Sequence, residues 1–288
     1  MKMLVFGATG QVGWSLTKRA PAGVFVHGVG RAQVDLLNGG AAAHFIASHE
    51  ADVVVNAAAY TAVDLAESEE AHAFKINADA PAEMARACAA RGVPFIHLST
   101  DYVFDGSGHE PRRRNDPTGP LNVYGRSKLA GEGGVLAAGG RPIILRTSWV
   151  FSSHGNNFLK TMLRLGRERK SLRIVADQVG GPTNAADIAD AIFAIAHATK
   201  ARTGVDGVYH FAGRPEVSWA NFARAIFEYA GLDVHVDDIP SASYPTPARR
   251  PMNSRLDCFD VEESFSIQCP DWRTSLRSTI SEAIHGAA

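Results

Sequence analysis

"KMLVFGATGQVG" (residues 2–13) runs four apolar residues, Met3 to Phe6, straight into a turn whose glycines, Gly7, Gly10 and Gly13, stand three apart. An apolar run without polar alternation reads as a strand buried on both faces, the kind found in parallel sheets. Glycine gives the turn dihedrals that a Cβ would forbid, and lets a phosphate approach the backbone where the next helix begins. The spacing GxxGxxG departs from GxGxxG, and the Lys–Ser/Thr pair of a triphosphate-binding loop is missing. Its place at the first strand–helix junction nonetheless predicts a dinucleotide site, with Gly7, Gly10, Gln11, Val12 and Gly13 around a pyrophosphate.

Working outward, further buried strands are expected at 24–30 (VFVHGVG), 52–59 (DVVVNAAA), 93–100 (VPFIHLST) and 142–151 (PIILRTSWVF). Alanine-rich amphipathic stretches such as 71–92 separate them and fit crossover helices. Strand and helix in alternation give an α/β fold, a Rossmann-type doubly wound parallel sheet with ligands at the carboxyl ends of its strands. Later helical patterns lie near 157–169, 185–199 and 218–230, and 244–257 (YPTPARRPMNSRLD) is irregular. The expected division is a nucleotide-binding domain over 1–151, to which later segments return, and a smaller C-terminal substrate-binding lobe over 152–288.

The 288 residues carry a net charge near −1, which gives no electrostatic reason for a nucleic-acid or anionic-membrane partner. No stretch approaches the ~20 apolar residues of a bilayer span, and the N-terminus lacks a signal-peptide core. Three cysteines without a CxxC pair suit a reducing compartment, so a cytoplasmic location is expected. The eleven histidines show no metal-ligand spacing.

At the end of the second strand, GVGRAQVDL (28–36) puts Gly30 and Arg31 where an acidic residue would hold an adenosine ribose. Arginine can grip a 2′-phosphate with two hydrogen bonds, which favours NADPH; Asp35 and Leu36 stand beside it, and use of NADH stays open. After the third strand, the small residues Ala57, Ala58 and Ala59, with Tyr60 and Thr61, leave room for a cofactor. The fourth strand ends in Ser99, Thr100 and Asp101. Beyond it, NVYGRSKLAGE (122–132) sets Tyr124 four residues ahead of Lys128, on one face of a helix. A nearby ammonium lowers a phenol's pKa by about one to three units, towards the range of efficient general acids. PRRR (111–114) reads as a solvated loop, and Trp14, Trp219 and Trp272 as packing residues.

The glycine turn, the threonine at the strand end and YxxxK resemble the extended short-chain dehydrogenases/reductases. The longer strings NAAAYTAVDLAESE, STDYVFDG, PLNVYGRSKLAGE, RTSWVF, GNNFLKTMLRL and YPTPARRPMNSRLD are similar to the dTDP-4-dehydrorhamnose reductase family, over about residues 4–272. The resemblance implies NADPH-dependent reduction of a dTDP-4-keto sugar at C4. It implies Tyr124 as proton donor, Lys128 on the nicotinamide ribose and lowering the tyrosine pKa, and Thr100 on the tyrosine or sugar oxygen. Asp101 and Trp149 would flank the sugar, and Asn157, Arg249 and Arg250 would reach the nucleotide. Some members are dimers joined through Mg²⁺, but the matching positions here, Ser15 and Ala186, have no carboxylate. Without oxygen anions a hard cation has little to bind; no metal, and a monomer or weak homodimer, are expected. A reductase of a related 4-keto-6-deoxyhexose, or a non-catalytic NADP-binding subunit, remain the alternatives.

Overall fold

Alternate residues of the first strand, β1 (Lys2–Phe6), enter two different cores in the computed structural model, which describes residues 1–201 and 206–285. Met3 and Val5 join Val53, Val55, Ile96, Ile143 and Leu145, whereas Leu4 and Phe6 join Val54, Phe95 and Ile144. Side chains of a strand alternate between faces, so two apolar faces demand cover on both sides.

That cover comes from the connections. After β1 follow α1 (Gln11–Lys18), β2 (Phe25–Val29), α2 (Ala41–Ser48) and β3 (Val53–Asn56). The short helices α3 (Val63–Ala66) and α4 (Glu70–Phe74) precede α5 (Ala80–Ala90) and β4 (Phe95–Thr100). A π-helical turn, Lys75–Asp79, joins α4 to α5 without a break. Then come α6 (Val123–Ala137), β5 (Pro142–Thr147), β6 (Val150–Phe151), α7 (Phe158–Glu168), β7 (Ser171–Val175) and β8 (Val179–Gly180). Next are β9 (Thr183–Asn184), α8 (Ala185–Lys200), β10 (Gly207–His210), β11 (Val217–Ser218) and α9 (Trp219–Tyr229). The chain finishes with β12 (His235–Ile239), β13 (Asn253–Ser254), α10 (Phe259–Phe265) and α11 (Trp272–His285).

The main sheet has six strands in the order β10-β5-β4-β3-β1-β2, all parallel. Helices α1 and α8 cover one face, and α2, α5 and α6 the other. This is the doubly wound Rossmann-type arrangement, and the strand order reverses beside β1, where such sheets open a ligand crevice. A separate core unites Leu159, Met162 and Leu163 of α7 with Phe222, Ile226 and Phe227 of α9 and Trp272, Leu276 and Ile280 of α11. Strands β7 and β12 pair in parallel at its edge. None of the described helices is long and apolar enough to cross a membrane.

Three details depart from the sequence reading. The run 142–151 is two strands, because Trp149 takes a left-handed φ of 49° and ends the extended chain between β5 and β6. A sixth strand, β10, stands where the sequence reading placed no strand. Of the PRRR arginines only Arg113 is solvated: Arg112 binds Asp105 at 2.5 Å and Arg114 binds Asp260 at 3.1 Å, both largely covered.

Candidate active site

The glycine loop leaves β1 at Gly7, whose φ of 82° belongs to the left-handed region. A Cβ there would stand 2.5 Å from the Ala58 nitrogen, and one at Gly13 would overlap the Gly7 carbonyl. Packing thus explains Gly7 and Gly13. Gly10 is different: a Cβ there would meet only the Gly7 carbonyl oxygen, at 3.4 Å. Gly10 is the N-cap of α1 and supplies no side-chain cap, and the first turn has no acidic residue. The opening turn of α1, Gln11, Val12 and Gly13, is therefore chemically suited to an anion, and the loop fits the pyrophosphate of NADP.

At the end of β2, the Arg31 side chain is 75% exposed and its Nε lies 3.3 Å from Asp35 Oδ2. Asp35 also accepts from the Leu37 amide at 3.0 Å, and that bond, then Arg31, holds its carboxyl below the usual range. Gly30 donates its amide to Gln33, and Leu36 packs inward. After β3, Asn56 accepts from the Ala58 amide and Asn77 from the Tyr60 amide, fixing the course of Ala57 to Thr61 along the sheet edge. The Tyr60 hydroxyl donates to Glu69 at 2.8 Å.

Thr100, Asp101, Tyr124 and Lys128 come together at the end of β4. Asn122 caps α6 by accepting from the Gly125 amide at 2.8 Å, which sets Tyr124 in the first turn. Tyr102 packs edge-on against Tyr124, centroids 5.4 Å apart. Burial pushes the Tyr124 phenol up to about 12; a Thr100 hydrogen bond opposes this and the Asp101 charge adds to it. Asp101 is itself raised to about 6 by burial, against hydrogen bonds from Ser254 and Thr100. The Ser99 and Thr147 hydroxyls are buried without a protein hydrogen-bond partner.

Lys128 corrects one expectation. Its ammonium donates to the Leu98 carbonyl at 2.7 Å and lies 3.4 Å from His97 Nε2, committed beneath the strand end. Burial draws it down to about 8, with Glu132 opposing. It does not lower the phenol; desolvation of the ring dominates and keeps Tyr124 protonated. His97, buried and beside the Lys128 charge, is held neutral well below its ordinary range. One turn further along α6, Glu132 grips Arg146 of β5 with bonds of 2.9 and 2.6 Å, both side chains buried.

The residues expected on the substrate side divide. Trp149 follows β5 and stacks on Trp219 at 3.5 Å, and Trp219 in turn packs against the lobe core. Trp14 likewise stacks on His154, at 4.9 Å, while Trp272 is buried with its indole N–H on the Pro215 carbonyl. Asn157 is used otherwise than expected. It caps α7 and its amide binds Gln11 Oε1 at 3.0 Å, tying the lobe to the glycine loop. Arg250 is held by Asp64, whereas the Arg249 side chain is exposed. Ser15 donates to the Gln11 carbonyl, and Ala186, whose amide meets Asn184, lines the same polar cleft of about 270 Å³.

Sequence reasoning missed His97, Glu132, Arg146 and Asp64. His97 and Arg146 carried a signal: a histidine inside FIHLST and an arginine inside PIILRT must be paired once those strands are buried. Asp64 carried none, because its partner lies 186 residues away.

The family model described as "RmlD substrate binding domain" matches residues 1–284. The dTDP-4-dehydrorhamnose reductase of Sinorhizobium fredii is 46% identical over 286 residues, covering 97% of either chain. That of Escherichia coli K12 is 42% identical, covering 98% of both. The crystal structure of the Bacillus anthracis dTDP-4-dehydrorhamnose reductase in complex with NADP superposes with a TM-score of 0.92 at 33% identity, covering 98% of this chain and 99% of that one.

Proposed function

The chain belongs to the RmlD substrate-binding-domain family of dTDP-4-dehydrorhamnose reductases, and on that premise we propose that it reduces the C4 ketone of dTDP-4-dehydro-L-rhamnose to dTDP-L-rhamnose with NADPH. The observation that supports this most is the convergence of Thr100 and Asp101 at the end of β4 with Tyr124 of α6, and Lys128 buried one turn on, at the sheet edge that also carries an uncapped glycine loop.

NADPH, when bound, supplies the hydride. Tyr124 keeps its proton at neutral pH, because burial raises its pKa to about 12, and so meets the carbonyl as an acid. As negative charge grows on the C4 oxygen, the phenol proton passes to it, and the Thr100 hydroxyl, which in this structure donates to Asp101, turns to donate to the phenolate left behind. Lys128, charged below about pH 8, spends one of its three donors on the Leu98 carbonyl and would offer another to the nicotinamide ribose. Asp101 and the Trp149–Trp219 plate shape the sugar side, and Arg249 reaches the diphosphate. Arg31 reads the 2′-phosphate, which makes NADPH the preferred donor and NADH the weaker one. Ser15 and Ala186 bring no carboxylate to a cleft that Asp187 and Glu282 also line, and with those two ligands missing the chain acts as a monomer or as a dimer held without a metal.

Supplying NADPH and dTDP-4-dehydro-L-rhamnose and identifying the product by NMR tests the reading. Loss of NADPH absorbance with formation of the rhamno product is expected. A C4 hydroxyl of the opposite configuration would make the C4-epimeric sugar the product and overturn the rhamnose assignment, and no turnover would leave only a nucleotide-binding module.

A further inference from the structure

The geometry points to Asp64 as a positioning residue for the nucleotide-sugar, a clamp that seats the arginine loop over the Tyr124 helix. This rests on the reading above. Asp64 lies on α3, just after the segment along β3 assigned to the cofactor. Its carboxylate takes both arms of Arg250, with Nη1 at 2.7 Å from Oδ1 and Nη2 at 2.8 Å from Oδ2. The Ala248 amide donates to the same Oδ1 at 3.1 Å, and Arg250 Nη1 also donates to the Ala248 carbonyl at 2.7 Å. Planar two-armed pairing of this kind fixes orientation as well as distance.

On either side of Arg250 the loop is also pinned through neutral groups. Asn122 donates its amide to the Arg249 carbonyl at 2.7 Å, and the Asn253 amide donates to the Gly106 carbonyl at 3.0 Å. Glu67, which directly follows α3, accepts from the Val123 amide at 2.8 Å. One short segment therefore holds both the loop and the first turn of the helix bearing Tyr124. The Arg250 charge acts on the Tyr102 phenol, and Tyr102 packs against Tyr124. Arg250 is thus spent on the clamp, while Arg249, carried beside it, keeps its side chain in solvent. Asp64 is 41% exposed, so solvent screens the pair; its consequence is where the loop sits and not whether the chain folds. Seating a binding loop in advance lowers the ordering cost of capture and so acts on affinity.

Asp64→Ala and Arg250→Ala, singly and together, are compared with wild type by steady-state kinetics, by calorimetry with dTDP and with NADPH, and by hydrogen exchange at the Ala248 amide. Expected for Asp64→Ala are a KM for the dTDP-sugar raised on the order of tenfold, kcat within about threefold, and an unchanged Kd for NADPH. The double variant should lose no more than the worse single one. Asp64→Asn, which keeps an acceptor but no charge, should fall between. A KM within about twofold of wild type, or losses that multiply in the double variant, would overturn the clamp. Should wild type neither reduce the sugar nor bind dTDP, the functional reading fails. The clamp then stands on the Ala248 amide: exchange accelerated about tenfold in Asp64→Ala supports it, and unchanged exchange removes it.

Discussion

Arg31 is the residue where cofactor choice is most exposed to experiment. Three quarters of its side chain meets solvent and its one ion-pair partner is Asp35, at 3.3 Å, a contact that a 2′-phosphate can replace with two stronger bonds. Arg31→Ala should therefore raise KM for NADPH by roughly tenfold and leave KM for NADH within about twofold. Equal changes for both nicotinamides would show that Arg31 does not read the 2′-phosphate. Tyr124 shows where residue-level reasoning from sequence stops. The YxxxK spacing located the phenol and the ammonium, but the balance of charge and burial depends on what surrounds them. Leu98 and His97 occupy the lysine, and desolvation governs the tyrosine.

Helix α6 and strand β5 are joined by the Glu132–Arg146 pair, which is buried on both sides. Removing one member of such a pair leaves the other charge without compensation in the interior, at a cost of about 3–5 kcal/mol. Glu132→Ala should lower unfolding stability in urea by that amount, whereas a loss below about 1 kcal/mol would mean water reaches Arg146. Much at this scale was legible beforehand. The apolar runs located β1, β3, β4 and β5 because strands buried on both faces cannot alternate, whereas β2, expected to be buried, is an edge strand with Phe25 and His27 exposed; the glycine turn located α1. The sixth strand was not legible: Gly207–His210 is four residues long, and only pairing with β5 makes it a strand. Nor was the break at Trp149, since a left-handed tryptophan is imposed by its stack on Trp219 and has no local sequence signature. In the candidate site, the glycine loop and the Thr100, Tyr124 and Lys128 positions could be read from spacing, but the Asp64–Arg250 contact joins distant segments.

Across the whole molecule, His210 ties three distant parts together. Nδ1 faces the Arg112 and Asp257 carbonyls at 3.0 and 3.1 Å, so it carries the proton, while Nε2 faces Arg146 at 3.4 Å. Burial, and then the Arg146 charge, lower its pKa to about 3. Between that value and the unfolded value near 6.5, the unfolded chain binds a proton that the folded chain refuses, so stability falls as pH drops through the window. Asp101 works in the opposite sense, but only between about 3.8 and about 6. The melting temperature of wild type should decline below about pH 6.5 more steeply than that of His210→Asn; parallel declines would place the acid sensitivity elsewhere. The catalytic account rests on one proton held by Tyr124 at the edge of this sheet. Turnover of dTDP-4-dehydro-L-rhamnose, followed by NADPH consumption in wild type and Tyr124→Phe, tests it most directly. The account predicts a kcat lower by a factor on the order of 10² in the variant, with NADPH affinity preserved, and near-normal turnover without the phenol would contradict it.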